Sequence, residues 1–447
     1  MSESVAVARP ILSGLSIVTI GRLGAAAIGM ITQVYLAKVL SAASLGVFYM
    51  ATSLAAFLGI VATCGLPLVA ARFLVRYRHR ATADFSGLFV ATARRVILPV
   101  SLVLTAAAVA IILLWPDLPK GERTVLLIGC LAAPGFALAR LSGAAATACR
   151  RFQLSYLPDL VARPVLFLFA VMAMGLFAQR VDLTLTVVIF VLLVTAQALF
   201  QDGALRRIIA PGTRPRQPVA GRLRFMWLKA ALPLTGVILM TSIFADLAIL
   251  SAGLFLGKAD LAVFGVCVKI ALIAGFVQVT AHKMLQPDLA EALIARDRRR
   301  LSHTIAQANL IGVGVGLAAF LAVAATGDLV LSAFGDHFVA GRNILLALLF
   351  GQTLIAAGGP AIQVLTLARG QAAAALASIL AALCLLATNA VFVPLLGLGG
   401  AALAMVCTQI VWAALLAIQV RRTTGIASDI FSLIGLPRRE LPISVAS

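Results

Sequence analysis

The sequence is short of charge, and above all of acid. Of its 447 residues 12% are charged, against about 25% in an average soluble domain. Aspartate and glutamate together number 16. A chain this poor in charge cannot cover a water-facing surface, which excludes a soluble enzyme and a disordered chain. Cysteine is sparse too. Cys64, Cys130, Cys149, Cys267, Cys384 and Cys407 fall in or at the end of apolar runs, and none forms a CxxC pair. They read as small buried thiols, not as a disulfide framework or a metal cluster. There is no HExxH, no GxSxG and no P-loop. Gly312, Gly314 and Gly316 lack the spacing of a nucleotide loop and read as a helix-packing surface. No catalytic residue, cofactor or metal site is expected.

What is present is apolar sequence in long runs. Hydrophobic residues make up 62% of the chain, and the mean hydropathy is +1.08. A membrane-crossing helix needs about 20 mostly apolar residues. Twelve segments qualify, at about 11–37, 46–71, 86–114, 124–148, 155–178, 183–205, 230–256, 261–285, 304–326, 343–368, 371–393 and 400–420. The run after Met1–Pro10 is too long for a signal-peptide core of about 7–15 residues, so it is expected to stay as the first helix. The expected fold is all-α, a polytopic bundle. It divides into a six-helix lobe at 1–205, a basic linker at 206–229, a second lobe at 230–422 and a tail at 423–447.

Lysine and arginine number 36, giving a formal net charge of +20. In a soluble protein that surplus points to nucleic acid; here it marks one side of a membrane. With the N-terminus inside, 26 bases fall on the inner side, six on the outer and four within spans. That asymmetry places both termini in the cytoplasm, requires an even helix count and fits an inner membrane. The inner basic loops also attract acidic lipids.

The halves repeat. Leu40, Leu45, Val47 and Phe48 match Leu256, Leu261, Val263 and Phe264 at a shift of 216, and Arg151-Phe152-Gln153 faces Arg369-Gly370-Gln371 at 218. Six crossings return the chain to its starting side. The copies are therefore parallel, related by a pseudo-two-fold axis along the membrane normal. The outer loops leave no room for a catalytic domain, so the simplest reading is a transporter.

An ionisable group at mid-membrane costs about 2.5–3.5 kcal/mol on insertion scales, so those within spans are candidates for function. Thr19, Arg22, Gly29 and Gln33 share a stripe of helix 1, either a cationic cavity wall or a helix contact in which backbone carbonyls satisfy the arginine. Thr235, Ser242 and Asp246 share a face of helix 7. Asp246 reads as a proton-coupling carboxylate, a counter-ion or half of a structural pair. Lys269 lines up with Thr280 and Lys283 and either faces a cavity or snorkels to one surface. Arg163 has Asp159 one turn earlier and reads as a local ion pair, and Arg140 reads as snorkelling. Gln352, Gly359 and Gln363 share a face of helix 10. The bases Arg22, Arg163 and Lys269 outnumber deep acids, which favours an anionic substrate.

Three stretches carry a resemblance. They are Leu36-Ala37-Lys38-Val39-Leu40-Ser41-Ala42-Ala43-Ser44-Leu45-Gly46-Val47-Phe48-Tyr49, Phe334-Gly335-Asp336-His337-Phe338, and Asn389-Ala390-Val391-Phe392-Val393-Pro394-Leu395-Leu396-Gly397-Leu398-Gly399-Gly400-Ala401-Ala402. Through them the chain resembles the multidrug/oligosaccharidyl-lipid/polysaccharide (MOP) flippase superfamily, in its polysaccharide-transporter branch. The resemblance implies two lobes across a cavity lined by helices 1, 2, 7 and 8, working by alternating access. It also implies a polyprenyl-pyrophosphate-linked oligosaccharide as cargo, with a glycan polymerase and glycosyltransferases as candidate partners. Drug-exporting relatives often carry a carboxylate in the first helix, and this chain has none there. A cation-coupled multidrug exporter using Asp246 is the alternative, and a membrane scaffold for glycan synthesis is the third reading.

Overall fold

The computed structural model describes residue 24 and residues 26–79, 84–178, 181–209, 221–295, 297–368, 370–425 and 428. It divides into two compact units, Met1–Thr235 and Gly236–Ser447. Every regular element among the described residues is helical.

Unit 1 begins with α1, Ala26–Val39. Helix α2 (Ala42–Val61) starts at Ser41, whose hydroxyl caps the Ser44 amide. Then come α3 (Leu66–His79), α4 (Asp84–Leu114), α5 (Lys120–Cys130) and α6 (Ala133–Ala148). Helix α7 (Phe152–Leu157) passes through a π turn at Pro158–Ala162 into α8 (Arg163–Ala178). Helix α9 (Leu183–Ile208) follows, and the first turns of α10 (Gly221–Thr241) complete the unit. Those turns are held by rings: Trp227 is buried against Phe73, Tyr77 and Phe89 and donates its indole N–H to the Tyr77 hydroxyl at 2.9 Å.

Unit 2 takes α10 onward into α11 (Phe244–Ala252), α12 (Lys258–Met284), α13 (Gln286–Ile294) and α14 (Arg298–Ser332). A 3₁₀ turn at Asp336–Gly341 leads into α15 (Arg342–Ala357) and α16 (Ala361–Leu367). The last element, α17, runs Gln371–Thr424 over 54 residues. A straight helix of that length would measure about 80 Å, far beyond a hydrocarbon core of about 30 Å. It is not straight. Gly397 leaves helical geometry at φ 57° and ψ −131°. A Cβ on Gly400 would stand 2.0 Å from the Phe392 carbonyl oxygen, so the chain folds back on itself there. Two helices result, where the sequence pattern suggested a loop from Pro394 to Gly399.

Nine described helices are long and apolar enough to cross a membrane. Dividing α17 at Gly397 and adding the 27-residue α12 makes eleven, and α1 (Ala26–Val39) overlaps the remaining expected segment, about 11–37, whose first part lies outside the described residues. The chain is a multi-pass membrane protein, and exposed Leu114, Phe177, Leu329 and Leu395 belong to its apolar exterior. The element order of unit 1 recurs in unit 2. Helices α2 and α12 start 216 positions apart, at Ala42 and Lys258. Helices α4 and α14 start 214 apart, at Asp84 and Arg298. The apolar runs missed the interruptions inside spans, at Cys64–Gly65, Pro158, Ser242–Ile243 and Gly358–Pro360. All six cysteines are free thiols, but only Cys130 and Cys267 are fully buried, fewer than expected.

Candidate functional site

One polar network of unit 1 is organised by a proline. Pro158 has no N–H to give the Leu154 carbonyl, the bond an uninterrupted helix would make. The turn widens, and the Arg163 amide bonds back to the Pro158 carbonyl. The Leu154 oxygen thus freed accepts Gln201 Nε2 of α9 at 3.0 Å. Gln197, one turn earlier on α9, donates to Gln201 Oε1 and to Asp159 Oδ1, each at 3.4 Å. Asp159 pairs with Arg163 at 2.9 Å, as the i, i+4 spacing predicted. The Arg163 guanidinium stands 5.5 Å from the Phe136 ring centroid, over its face, a further attraction for a cation. The Gln197 Oε1 is buried with no hydrogen-bond partner. Single-turn π bulges recur at functional sites, and this one holds a carboxylate, a guanidinium and two amides in one network. The Asp159 side chain is half-buried, with 43% of it exposed.

Of the residues singled out from sequence, Thr19 and Arg22 lie outside the described residues. Gln33 is half-buried on α1, where its Oε1 accepts the Tyr49 hydroxyl of α2 at 2.7 Å. One turn away, a Cβ on Gly29 would meet open space. The Tyr35 hydroxyl packs against Gly175 of α8. The described part of α1 is thus tied to α2 by a hydrogen bond and to α8 by close packing.

The shared face assumed for Thr235, Ser242 and Asp246 is interrupted. Helix α10 stops at Thr241 and α11 starts at Phe244, with Ile243 at φ −128° between them. Ser242 is exposed in that break, and Asp246 is half-buried in the first turn of α11, where a carboxylate is favoured by the helix dipole. Lys269 is half-buried on α12; the side chains of Thr280 and Lys283 lie outside the description. The face shared by Gln352, Gly359 and Gln363 is interrupted as well, because Gly359 has φ +73° in the break between α15 and α16. A Cβ there would stand 2.1 Å from the Ser428 carbonyl oxygen, so the backbones touch.

The sequence pattern overlooked one acid. Asp202 of α9 is buried, and its carboxylate pairs with both Arg94 of α4 and Arg206. The i, i+4 spacing of Asp202 and Arg206 was the available signal. Other buried polar contacts also escaped notice: Asn389 donates to Ser251 Oγ at 2.9 Å, and Gln278 to the Gly312 carbonyl at 3.2 Å.

No family model matches the chain, and no curated protein matches it. Solved structures do. An inward-facing multidrug resistance MATE family transporter of the MOP superfamily is similar at TM-score 0.67 and 15% identity, covering 89% of this chain and 98% of that one. The lipid II flippase MurJ, in an inward closed conformation, is similar at TM-score 0.71 and 13% identity, over 94% of this chain and 91% of that one. A MOP superfamily transporter from Pyrococcus furiosus is similar at TM-score 0.59 and 15% identity, over 92% and 95%. This chain has the fold of these transporters.

Proposed function

We propose that the chain is a MOP-superfamily flippase. It carries a polyprenyl-pyrophosphate-linked oligosaccharide from the inner to the outer leaflet of the cell inner membrane, for surface polysaccharide synthesis. The observation that carries this reading is the likeness in fold to a lipid II flippase over 94% of the chain. The order of the three sequence stretches from Leu36, Phe334 and Asn389 adds the polysaccharide branch. In this reading the cationic Arg22 and Lys269 hold the pyrophosphate, and Thr19, Gln33 and Ser242 are polar contacts for the sugar. Asp246 balances charge, and the lobes alternate access to the two sides. Both termini are cytoplasmic, and the chain itself makes and breaks no covalent bond.

The test is genetic. Deletion is expected to abolish surface polysaccharide and leave lipid-linked precursor behind. Wild type restores it, whereas Arg22→Ala and Lys269→Ala do not, at equal protein level. Unchanged polysaccharide after deletion ends the proposal. The fold likeness to a multidrug transporter supports a second reading, a cation-coupled drug exporter. It predicts drug sensitivity on deletion and loss of efflux in Asp246→Asn.

A further inference from the structure

Where α4 begins and α9 ends, unit 1 contains a cavity of about 90 Å³, lined by Gly87, Val90, Ala91, Arg94, Leu205, Arg206 and Ile209. A single water needs about 10–15 Å³ by the same measure, so the space admits a group several times larger. Its charge is set by three side chains. The Asp202 carboxylate is 4% exposed and gives one oxygen to Arg94 and the other to Arg206. One acid between two bases leaves a net positive charge on the wall. The Arg94 guanidinium has a donor to spare: its Nε is buried and has no hydrogen-bond partner. That Nε is enclosed, so an anion in the cavity meets the exposed part of the Arg94 side chain, 18% of it.

The surroundings select the kind of anion. Gly87 lies in the first described turn of α4. Arg206 and Arg207 occupy the last turn of α9 and offset the negative end of that helix. Val90, Leu205 and Ile209 give apolar walls. On α9, Leu199 and Phe200 are 62% and 63% exposed, an apolar surface one to two turns from Arg206 along which acyl chains can lie. Guanidinium forks match phosphate oxygens in pairs, and basic pockets between membrane helices hold acidic lipid headgroups. We propose that this cavity binds a phosphate-bearing anion, through Arg94 and Arg206. The headgroup of an acidic membrane lipid and free phosphate are the two sources of that chemistry.

The experiment uses the full chain in neutral detergent. Dioctanoyl phosphatidylglycerol and inorganic phosphate are titrated separately, with thermal unfolding as the readout. Wild type is expected to be stabilised by at least one of them, saturably. Arg94→Gln should weaken that binding by about tenfold or more, as expected for loss of a hydrogen bond to a charged group. Ala91→Leu fills the space without touching a charge and should weaken it as much. It also decides the matter if Arg94→Gln fails to fold. Stabilisation by the lipid alone identifies a headgroup; stabilisation by phosphate as well identifies a site for the free ion. Absence of stabilisation by either ligand overturns the proposal. So does wild-type binding in Ala91→Leu, because the anion then does not occupy the cavity.

Discussion

The two units share an order of helices but not a chemistry of the interior. Among the described residues, unit 1 buries a carboxylate, Asp202, between two arginines and builds its π turn around Asp159, Arg163 and Gln197. Among the described residues of unit 2 the fully buried polar side chains are neutral, among them Ser251, Gln278, Asn309, Asn389 and Gln409. The ion pairs of Arg300 with Glu291 and Asp288, and of Arg342 with Asp328, have both partners well exposed. One order of helices therefore tolerates two solutions to one problem, which is how to satisfy polar groups away from water. Ion pairs are the costlier solution when broken, because removing one partner strands a charge. Exposed pairs cost little in either direction.

This contrast is broken most easily at Asp202. Replacing it with alanine leaves Arg94 and Arg206 facing each other with no acid between them. The expected loss of stability is about 3–5 kcal/mol, the range for breaking a buried pair; the 62% exposed Arg206 side chain puts it at the lower end. Denaturant unfolding of the purified chain measures it. A loss below 1 kcal/mol would mean that water already solvates this cluster, and the distinction between the units would fall.

The helix connections sharpen the contrast. In unit 1, α9 starts at Asp182, whose carboxylate caps the Leu185 amide at 2.8 Å. In unit 2 the corresponding start follows Gly397 directly, in a region of φ and ψ that only glycine enters without strain. Gly397→Ala is expected to cost about 1–3 kcal/mol, and Asp182→Ala about 1 kcal/mol. Unfolding midpoints of the two variants, compared side by side, test this order. The reverse order would show that the backbone at Gly397 relaxes without the glycine.

The twelve helices were legible because lipid demands long apolar runs, and a run can be read locally. The interruptions were not. Pro158 was visible, but whether a proline kinks, ends or widens a helix depends on what receives the freed carbonyl, here Gln201 on another helix. Asp159 and Arg163 were readable as a pair because their spacing is local. Asp202 has the same local spacing to Arg206, but its second partner, Arg94, is 108 positions away, so its burial between two bases could not be read from the chain. The same holds for Gln33, read as part of a polar stripe, whose oxygen is taken by Tyr49 on α2. Helical faces drawn through Ser242 and Gly359 assumed continuous helices, and the assumption failed where backbone breaks reset the register.

The smallest effect belongs to the neutral interior. Asn389 is fully buried on α17, with its amide nitrogen on Ser251 Oγ of α11 and its Oδ1 without a hydrogen-bond partner. Asn389→Ala removes a donor and an unsatisfied acceptor together, so the gain from the second offsets part of the loss from the first. Ser251 keeps its own donor bond to the Leu247 carbonyl at 2.8 Å, so no new unmet donor appears. Hydrogen bonds between membrane helices average about 0.6 kcal/mol and reach about 1.7. The expected cost is near the lower figure, several times less than at Asp202. The same unfolding measurement checks it, and a loss as large as that of Asp202→Ala would show that neutral amides bind the second unit as tightly as ion pairs bind the first.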